Sequence, residues 1–200
     1  MSDELAPILG WHFTKGEALR DGRDVVVGEV LRHEGELVMC RAGYHMSVYA
    51  LDALRYAPGP WVWRVEGRGE RLTHADKIVC RERVALWGYD ATDVLRAFAR
   101  RCALSVIHLW DAPEVVKRYL ATGDETLLAA ARAASWDAAR AASWDASRAA
   151  AAAAAWAVYA AYAADAAADA AAAAARVSAW ECMNADLEAA VFAAHESAGD

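Results

Sequence analysis

Histidine, tyrosine, serine and basic residues lie close together in the first half of the chain. Most of them fall between residues 40 and 77, and a short His-Phe-Thr stretch precedes them. Tyrosine can stack on a ring, serine and histidine can hydrogen-bond hydroxyl groups, and arginine or lysine can bind phosphate. As a group they suit a phosphate- and ribose-bearing ligand. We therefore predict one ligand site formed by the following residues: His12, Thr14, Arg41, Tyr44, His45, Ser47, Tyr56 and Lys77.

Each of these side chains also has an ordinary structural alternative. His12 can close a strand edge with a hydrogen bond, since buried polar groups are normally satisfied. Tyr44 and Tyr56 can be core aromatics with a hydroxyl partner. Ser47 can cap the helix predicted after it, and Lys77 can pair on the surface with the neighbouring aspartate. The site prediction therefore depends on the whole group meeting in one place.

Other familiar chemistries lack their motifs. The chain has no Gly-x-Gly-x-x-Gly, no Gly-x-x-x-x-Gly-Lys and no Gly-x-Ser-x-Gly sequence. The four cysteines form no Cys-x-x-Cys pair, and the six histidines show no metal-ligand spacing, so we predict no metal site. Cys40 and His45 are a conceivable nucleophile pair, but no third residue is placed to orient the histidine.

The charge of the chain is unevenly distributed. Residues 1–124 carry 17 basic and 18 acidic residues, whereas residues 125–200 carry 4 basic and 10 acidic residues. A net charge of −7 without a basic cluster argues against binding nucleic acid through its phosphates. The longest uncharged apolar run, 149–164, is too short to span a membrane comfortably, and the acidic N-terminus does not resemble a signal peptide. We therefore predict a reduced, cytoplasmic protein.

Residues 1–123 predict a small α+β head domain. β-branched or alternating segments bounded by glycine and proline predict strands in a mainly antiparallel sheet, at 24–31, 36–40, 61–66, 77–80 and 83–87. A short helix is predicted over 50–56. From Asp90 the pattern becomes helical: Asp90 can cap one helix, and a second starts at 111–114 and ends near Gly123.

Residues 124–200 predict an alanine-rich helical tail. The sequence of residues 131–138 recurs at 139–146, and alanine is the best helix former. The tail also carries large aromatic anchors, namely Trp136, Trp144, Trp156, Tyr159, Tyr162 and Trp180. A solitary helix needs packing to be stable, so we predict a homo-oligomer formed through the tail, or a tail that folds back on itself.

Three segments of the head carry a resemblance to a family. They are Cys-Arg-Ala-Gly-Tyr-His-Met-Ser at 40–47, Asp-Ala-Leu-Arg-Tyr-Ala-Pro-Gly at 52–59, and Asp-Lys-Ile-Val at 76–79. They resemble a phage and prophage domain family of unknown function whose members often carry low-complexity repeats behind the domain. The resemblance covers about residues 10–120, and the tail is similar as well. It implies a viral protein acting in the cytoplasm of an infected bacterium, and it supplies no activity.

The same region also resembles the ADP-ribosyltransferase-like fold. The counterparts are His-Phe-Thr at 12–14, Gly-Tyr-His-Met-Ser at 43–47, the helix at 52–57 and the strand at 61–65. The resemblance implies that His12 hydrogen-bonds a ribose, that an aromatic residue stacks on nicotinamide, and that NAD is the cofactor. Glu82 is the one counterpart of the catalytic glutamate, but its setting, Arg81-Glu-Arg83, lacks the usual surrounding pattern.

Three functions follow as hypotheses. The favoured one is a phage accessory protein that binds and sequesters a nucleotide-derived small molecule, such as a host defence signal, without catalysis. The second is an ADP-ribosyltransferase that uses NAD, with Glu82 as its catalytic residue. The third is a structural protein whose helical tail drives oligomerisation.

Overall fold

The computed structural model describes residues 6–141 and 176–199, with side chains over 6–135 and 179–199. Its strands are β1 (Ile8–Thr14), β2 (Val30–Arg32), β3 (Tyr44–Met46), β4 (Trp61–Thr73) and β5 (Ile78–Asp90). Its helices are α1 (Ala50–Leu54), α2 (Thr92–Ser105), α3 (Glu114–Thr122), α4 (Leu128–Ala141) and α5 (Arg176–Ala198). All named strand pairs are antiparallel, so the predicted combination of helices with a mainly antiparallel sheet is confirmed.

The chain divides into two compact units. The head unit comprises Met1–Thr92 together with Val191–Asp200, and the helical unit comprises Asp93–Ala190. The sequence predicts two domains, 1–123 and 124–200, whose boundary differs from that of these units. The predicted domain boundary stays a prediction. The first copy of the predicted repeat, 131–138, lies in α4, whereas most of the second copy lies outside the described residues. The packing predicted for the tail aromatics Trp136, Trp144, Trp156, Tyr159 and Tyr162 also lies outside the described residues and side chains.

The sheet is built on the long β4–β5 hairpin. The hairpin runs from the Trp61–Asp90 pair to the Thr73–Ile78 pair, and the strand order is β1-β4-β5-β2, with β3 also pairing with β5. The sequence pattern wrongly predicts two strands, 77–80 and 83–87, where β5 is continuous. The two charged residues between them have partners next to the strand: Arg81 Nη1 donates to His33 O over 3.1 Å, and Glu82 pairs with Arg32.

The predicted strands at 24–31 and 36–40 are largely wrong. Only Val30–Arg32 forms a strand at the first position, and the second keeps a single bridge between Val38 and Ala42. Gly28 has a φ of +83°, which interrupts extended backbone just before β2. β1 was absent from the pattern-based strand predictions, because glycine and histidine interrupt its apolar run.

A backbone bridge joins β1 to the end of β3. Trp11 N–H donates to Ser47 O over 2.7 Å, and Ser47 N–H donates back to Trp11 O over 3.0 Å. The approach is possible because residue 10 is glycine. A Cβ at that position would lie 2.5 Å from Ser47 O, which is closer than a real Cβ atom approaches a non-bonded atom. The bridge holds two segments 36 positions apart in contact.

The last turns of α5 belong to the head unit and cover aromatic residues of its sheet. The His195 ring stacks on Trp87 with ring centroids 4.1 Å apart and an interplanar angle of 9°. Phe192 makes edge contacts with Trp11 and Trp87, and Tyr89 Oη donates to Val191 O over 2.8 Å. Aromatic pairs of this kind stabilise a fold beyond the area they bury.

The helical unit has its own small core. It is formed by Ala103, Val116, Tyr119, Leu120 and Ala131. α3 ends at Gly123, as predicted, with a φ of +69° that only glycine adopts readily. Within the described residues, no helix is both long enough and apolar enough to cross a membrane.

Substituting Gly10 by alanine should destabilise the head unit by about 1–3 kcal/mol, because the added methyl group collides with the β1–β3 bridge. Urea denaturation measures this change in the free energy of unfolding. Gly16→Ala is the matched control, since a Cβ there meets no atom within 4 Å. Equal stability of the two variants would contradict the close approach.

Substituting His195 by alanine should lower the free energy of unfolding by about 0.5–1.5 kcal/mol, because the ring stacked on Trp87 is removed. The neighbouring exposed residue provides the control: Glu196→Ala should change stability by less than about 0.5 kcal/mol. Thermal denaturation followed by Trp fluorescence measures both. If the two variants behave alike, α5 does not dock in this way.

Candidate functional site

A cleft of about 250 Å³ lies in the head unit. Five of the eight predicted ligand-binding residues line it: His12, His45, Ser47, Tyr56 and Lys77. The other lining residues are Trp11, Phe13, Arg20, Cys40, Met46 and Ala53. The predicted residues that do not line it are Thr14, Arg41 and Tyr44.

The sheet topology explains why these five residues meet. His12 lies on β1 and His45 on β3, and the Trp11–Ser47 bridge holds the two strands side by side. The pairing of β3 with β5 then brings the start of β5, and with it Lys77, to the same cleft. Tyr56 follows α1 directly.

His45 is held by the loop that precedes it. Its Nε2 accepts the backbone N–H of Cys40 over 2.8 Å, so the ring proton is assigned to Nδ1. Burial lowers the pKa of His45, and the nearby Arg83 and Lys77 charges lower it further. Because Nε2 is occupied by a backbone donor, the conceivable Cys40–His45 nucleophile pair is not formed in this geometry. His45 instead supports the left-handed backbone of Cys40, whose φ is +64°.

His12 and Ser47 are two uncharged polar residues of the cleft whose side chains have no partner among the described residues. In the described part of the chain, neither the His12 ring nor the Ser47 hydroxyl has a hydrogen-bond partner, and Ser47 is 2% exposed. Burial, helped by the charges of Arg83 and His45, holds the pKa of His12 well below its usual value. The His12 ring is therefore neutral at pH 7 and can both donate and accept a hydrogen bond. Ser47 does not cap α1, whose N-cap residue is Tyr49.

Tyr56 and Lys77 form one side of the cleft. The ammonium of Lys77 lies 4.0 Å from the centre of the Tyr56 ring, and the Tyr56 hydroxyl donates to the carboxylate of Asp76. Hydrogen bonds with Tyr56 and Cys40 raise the pKa of Lys77, so its positive charge is secure at neutral pH. Lys77 therefore contacts an aromatic ring rather than acting as a simple surface partner of Asp76.

The residues that do not converge have structural roles or no contact with the cleft. Thr14 is buried and accepts a hydrogen bond from Trp63 Nε1 over 2.8 Å. Tyr44 lies under the guanidinium of Arg83, whose central carbon is 5.4 Å from its ring centre. Arg41 is exposed on the loop before β3. Glu82 pairs with Arg32 over 2.7 Å and does not line the cleft.

Arg83 is a buried cation behind the cleft that the sequence reasoning missed. It is 4% exposed, and its Nη1 donates to His45 O over 2.6 Å. Among the described residues it has no carboxylate partner, and burial lowers its pKa to about 10. Its position in a run of charged residues resembles a solvated face, so the pattern carries no signal of burial. Arg20, at the cleft, was missed because nothing in its local sequence connects it to the motifs.

Asp52, on α1, is a second buried charge near the cleft that the sequence reasoning missed. It is 7% exposed, and burial together with the charge of Asp76 raises its pKa to about 6. No group of three His, Cys, Asp or Glu side chains in the described residues is placed to hold a metal ion. The polar residues lining the cleft thus include two histidines, Ser47, Tyr56 and the cations Arg20 and Lys77, with Asp52 next to the lining residue Ala53 in the chain.

Comparison with known proteins adds no relative: no protein-family model, no curated protein and no solved structure matches this chain. The resemblances to a phage domain family and to the ADP-ribosyltransferase-like fold therefore stay predictions.

Replacing Asp52 by asparagine should stabilise the protein more at pH 7.5 than at pH 4. The folded state binds the Asp52 proton more tightly than the unfolded chain does, so this carboxyl contributes stability below its unfolded pKa of 3.8. That contribution is lost as the pH rises through about 6. The advantage of Asp52→Asn over wild type should grow by about 2 kcal/mol across this range, given 1.36 kcal/mol per pKa unit.

Urea denaturation at several pH values checks this prediction. The exposed variant Glu36→Gln is the control and should show a small difference from wild type that does not depend on pH in the same way. A constant difference between Asp52→Asn and wild type would show that the carboxyl is not buried as described.

Proposed function

We propose that the head unit binds a small, phosphate-bearing molecule derived from a nucleotide, and that it does so without converting it. The observation that carries the proposal is the convergence of five predicted residues, from separate segments of the chain, on one cleft of about 250 Å³. These residues lie on separate elements, and the elements meet because the strands pair in one sheet. Their meeting in one cleft is what a ligand site requires.

The charge of the cleft supports an anionic ligand. Arg20 and Lys77 line it, and no acidic side chain is among its described lining residues. Three acidic residues adjoin lining residues in the chain without lining the cleft: Asp21 pairs with Arg23, Asp76 accepts the Tyr56 hydroxyl, and Asp52 is buried on α1. Phosphate is the anion that paired basic side chains commonly recognise in small ligands.

The position of Glu82 supports binding rather than turnover. The transferase alternative needs a carboxylate at the ligand, but Glu82 pairs with Arg32 on the β2 side of β5 and does not line the cleft. His45 is also unsuited to act as a base, because its Nε2 accepts a backbone N–H. A protein that binds without converting its ligand fits these contacts better than a transferase does.

The resemblance to phage proteins gives this binding a role within the proposal. A viral protein that holds a nucleotide-derived signal keeps that signal from its receptor in the infected cell. Sequestration needs affinity and abundance, and it needs no catalytic group.

Isothermal titration calorimetry with ADP-ribose, NAD and cyclic nucleotides tests the proposal. Lys77→Met should weaken binding at least tenfold, or about 1.4 kcal/mol, because a charge-assisted contact to phosphate is lost. Lys15→Met is the charge-matched control, since Lys15 is exposed and does not line the cleft. It should change the affinity by less than about twofold, which is far smaller than the tenfold loss expected for Lys77→Met.

Two results would overturn the proposal. If none of these molecules, nor a simpler phosphate ester, binds wild type at high micromolar concentration, the cleft is not a phosphate-ligand site. If wild type releases nicotinamide from NAD and Glu82→Gln stops the release, the protein is a transferase and the non-catalytic reading is wrong.

A further inference from the structure

The polar groups of the cleft fall into a neutral set and a cationic set. The Ser47 hydroxyl belongs to a residue that is 2% exposed, and it lines the cleft with no hydrogen-bond partner in the described part of the chain. The His12 ring is half-buried and likewise has no hydrogen-bond partner among the described residues. Both groups can therefore hydrogen-bond a molecule that enters the cleft, as donor or as acceptor.

The second set is cationic. Arg20 is exposed and makes no hydrogen bond or ion pair with any described residue, although it lines the cleft. Lys77 is half-buried against the Tyr56 ring and keeps its charge. The cleft therefore combines a neutral hydrogen-bonding set with a positive set.

The size of the cleft limits what can occupy both sets. Pockets that enclose a drug-sized ligand measure about 300–1,000 Å³, and this cleft measures about 250 Å³. NAD and ADP-ribose each contain two ribose units and a pyrophosphate, so only part of either molecule can enter. A single sugar with one phosphate is less than half of either molecule, and it carries both the hydroxyls and the anion that the two sets can bind.

We propose that the cleft recognises one sugar monophosphate unit, with its hydroxyls at Ser47 and His12 and its phosphate at Arg20 and Lys77. This inference rests on the proposed function and narrows it: the unit bound is a pentose phosphate or the sugar phosphate of a mononucleotide. A second nucleoside adds contacts only outside the cleft. Ser47 is then the residue that distinguishes a sugar phosphate from a bare phosphate.

The experiment measures calorimetric affinities of ribose 5-phosphate, inorganic phosphate, ADP-ribose and NAD for four proteins: wild type, Ser47→Ala, Lys77→Met and Ser197→Ala. Ser47→Ala should weaken ribose 5-phosphate at least fivefold and leave inorganic phosphate within twofold. Lys77→Met should weaken both ligands. Ser197→Ala is the control, because that hydroxyl is exposed and bonds to Ala193 O within α5. Far-UV circular dichroism shows that each variant is folded.

Each outcome separates this inference from the proposed function. If Ser47→Ala binds ribose 5-phosphate as wild type does while Lys77→Met does not, the cleft binds phosphate but the sugar placement is wrong. If ADP-ribose or NAD binds wild type more than tenfold tighter than ribose 5-phosphate, the single-unit claim is overturned and the proposed function stands. If none of the four ligands binds wild type, both fail.

Discussion

The candidate site depends on one pair of backbone hydrogen bonds, those between Trp11 and Ser47. β3 already pairs with β5, and β1 pairs with β4 on the other side of the hairpin. The reciprocal bonds close the gap between these two strands and so place His12 beside Ser47. Only glycine at position 10 allows the approach, because any Cβ there would press on the Ser47 carbonyl. The site is therefore a product of backbone pairing rather than of side-chain packing.

Burial of polar groups around this bridge determines the chemistry of the cleft. Arg83 is inserted behind it and donates to His45 O, and its charge helps to keep His12 neutral. His45 is itself held by the Cys40 backbone. Arginine and histidine are expensive to bury unless they are hydrogen-bonded. Backbone groups form hydrogen bonds with Arg83 and with His45. The side chains of His12 and Ser47 have no hydrogen-bond partner among the described residues.

Part of this arrangement was readable from residue types, and part was not. The convergence of His12, His45, Ser47, Tyr56 and Lys77 was predicted as a group, since their types suit one ligand. Thr14 and Tyr44 do not line the cleft, because the Thr14 hydroxyl accepts from Trp63 Nε1 and the Tyr44 ring lies under the Arg83 guanidinium. Arg83 was missed because its burial leaves no signal in the sequence pattern. A charged residue that ends an Arg-Glu-Arg run looks solvated in the sequence pattern, whereas its burial depends on which segments pack against the strand.

Local signals in the sequence determined the elements that depend on neighbours along the chain. Pro58-Gly-Pro60 and the alternation after it predicted the start of β4, the short helix α1 was placed correctly, and Gly123 predicted the end of α3 through its left-handed conformation. Tertiary structure alone decided the length of β5, the loss of the strand at 36–40, the docking of Phe192 and His195 on the sheet, and the burial of Asp52. The physical reason is range: caps and turns are set within a few residues, whereas strand pairing, stacking and desolvation are set by atoms distant in sequence.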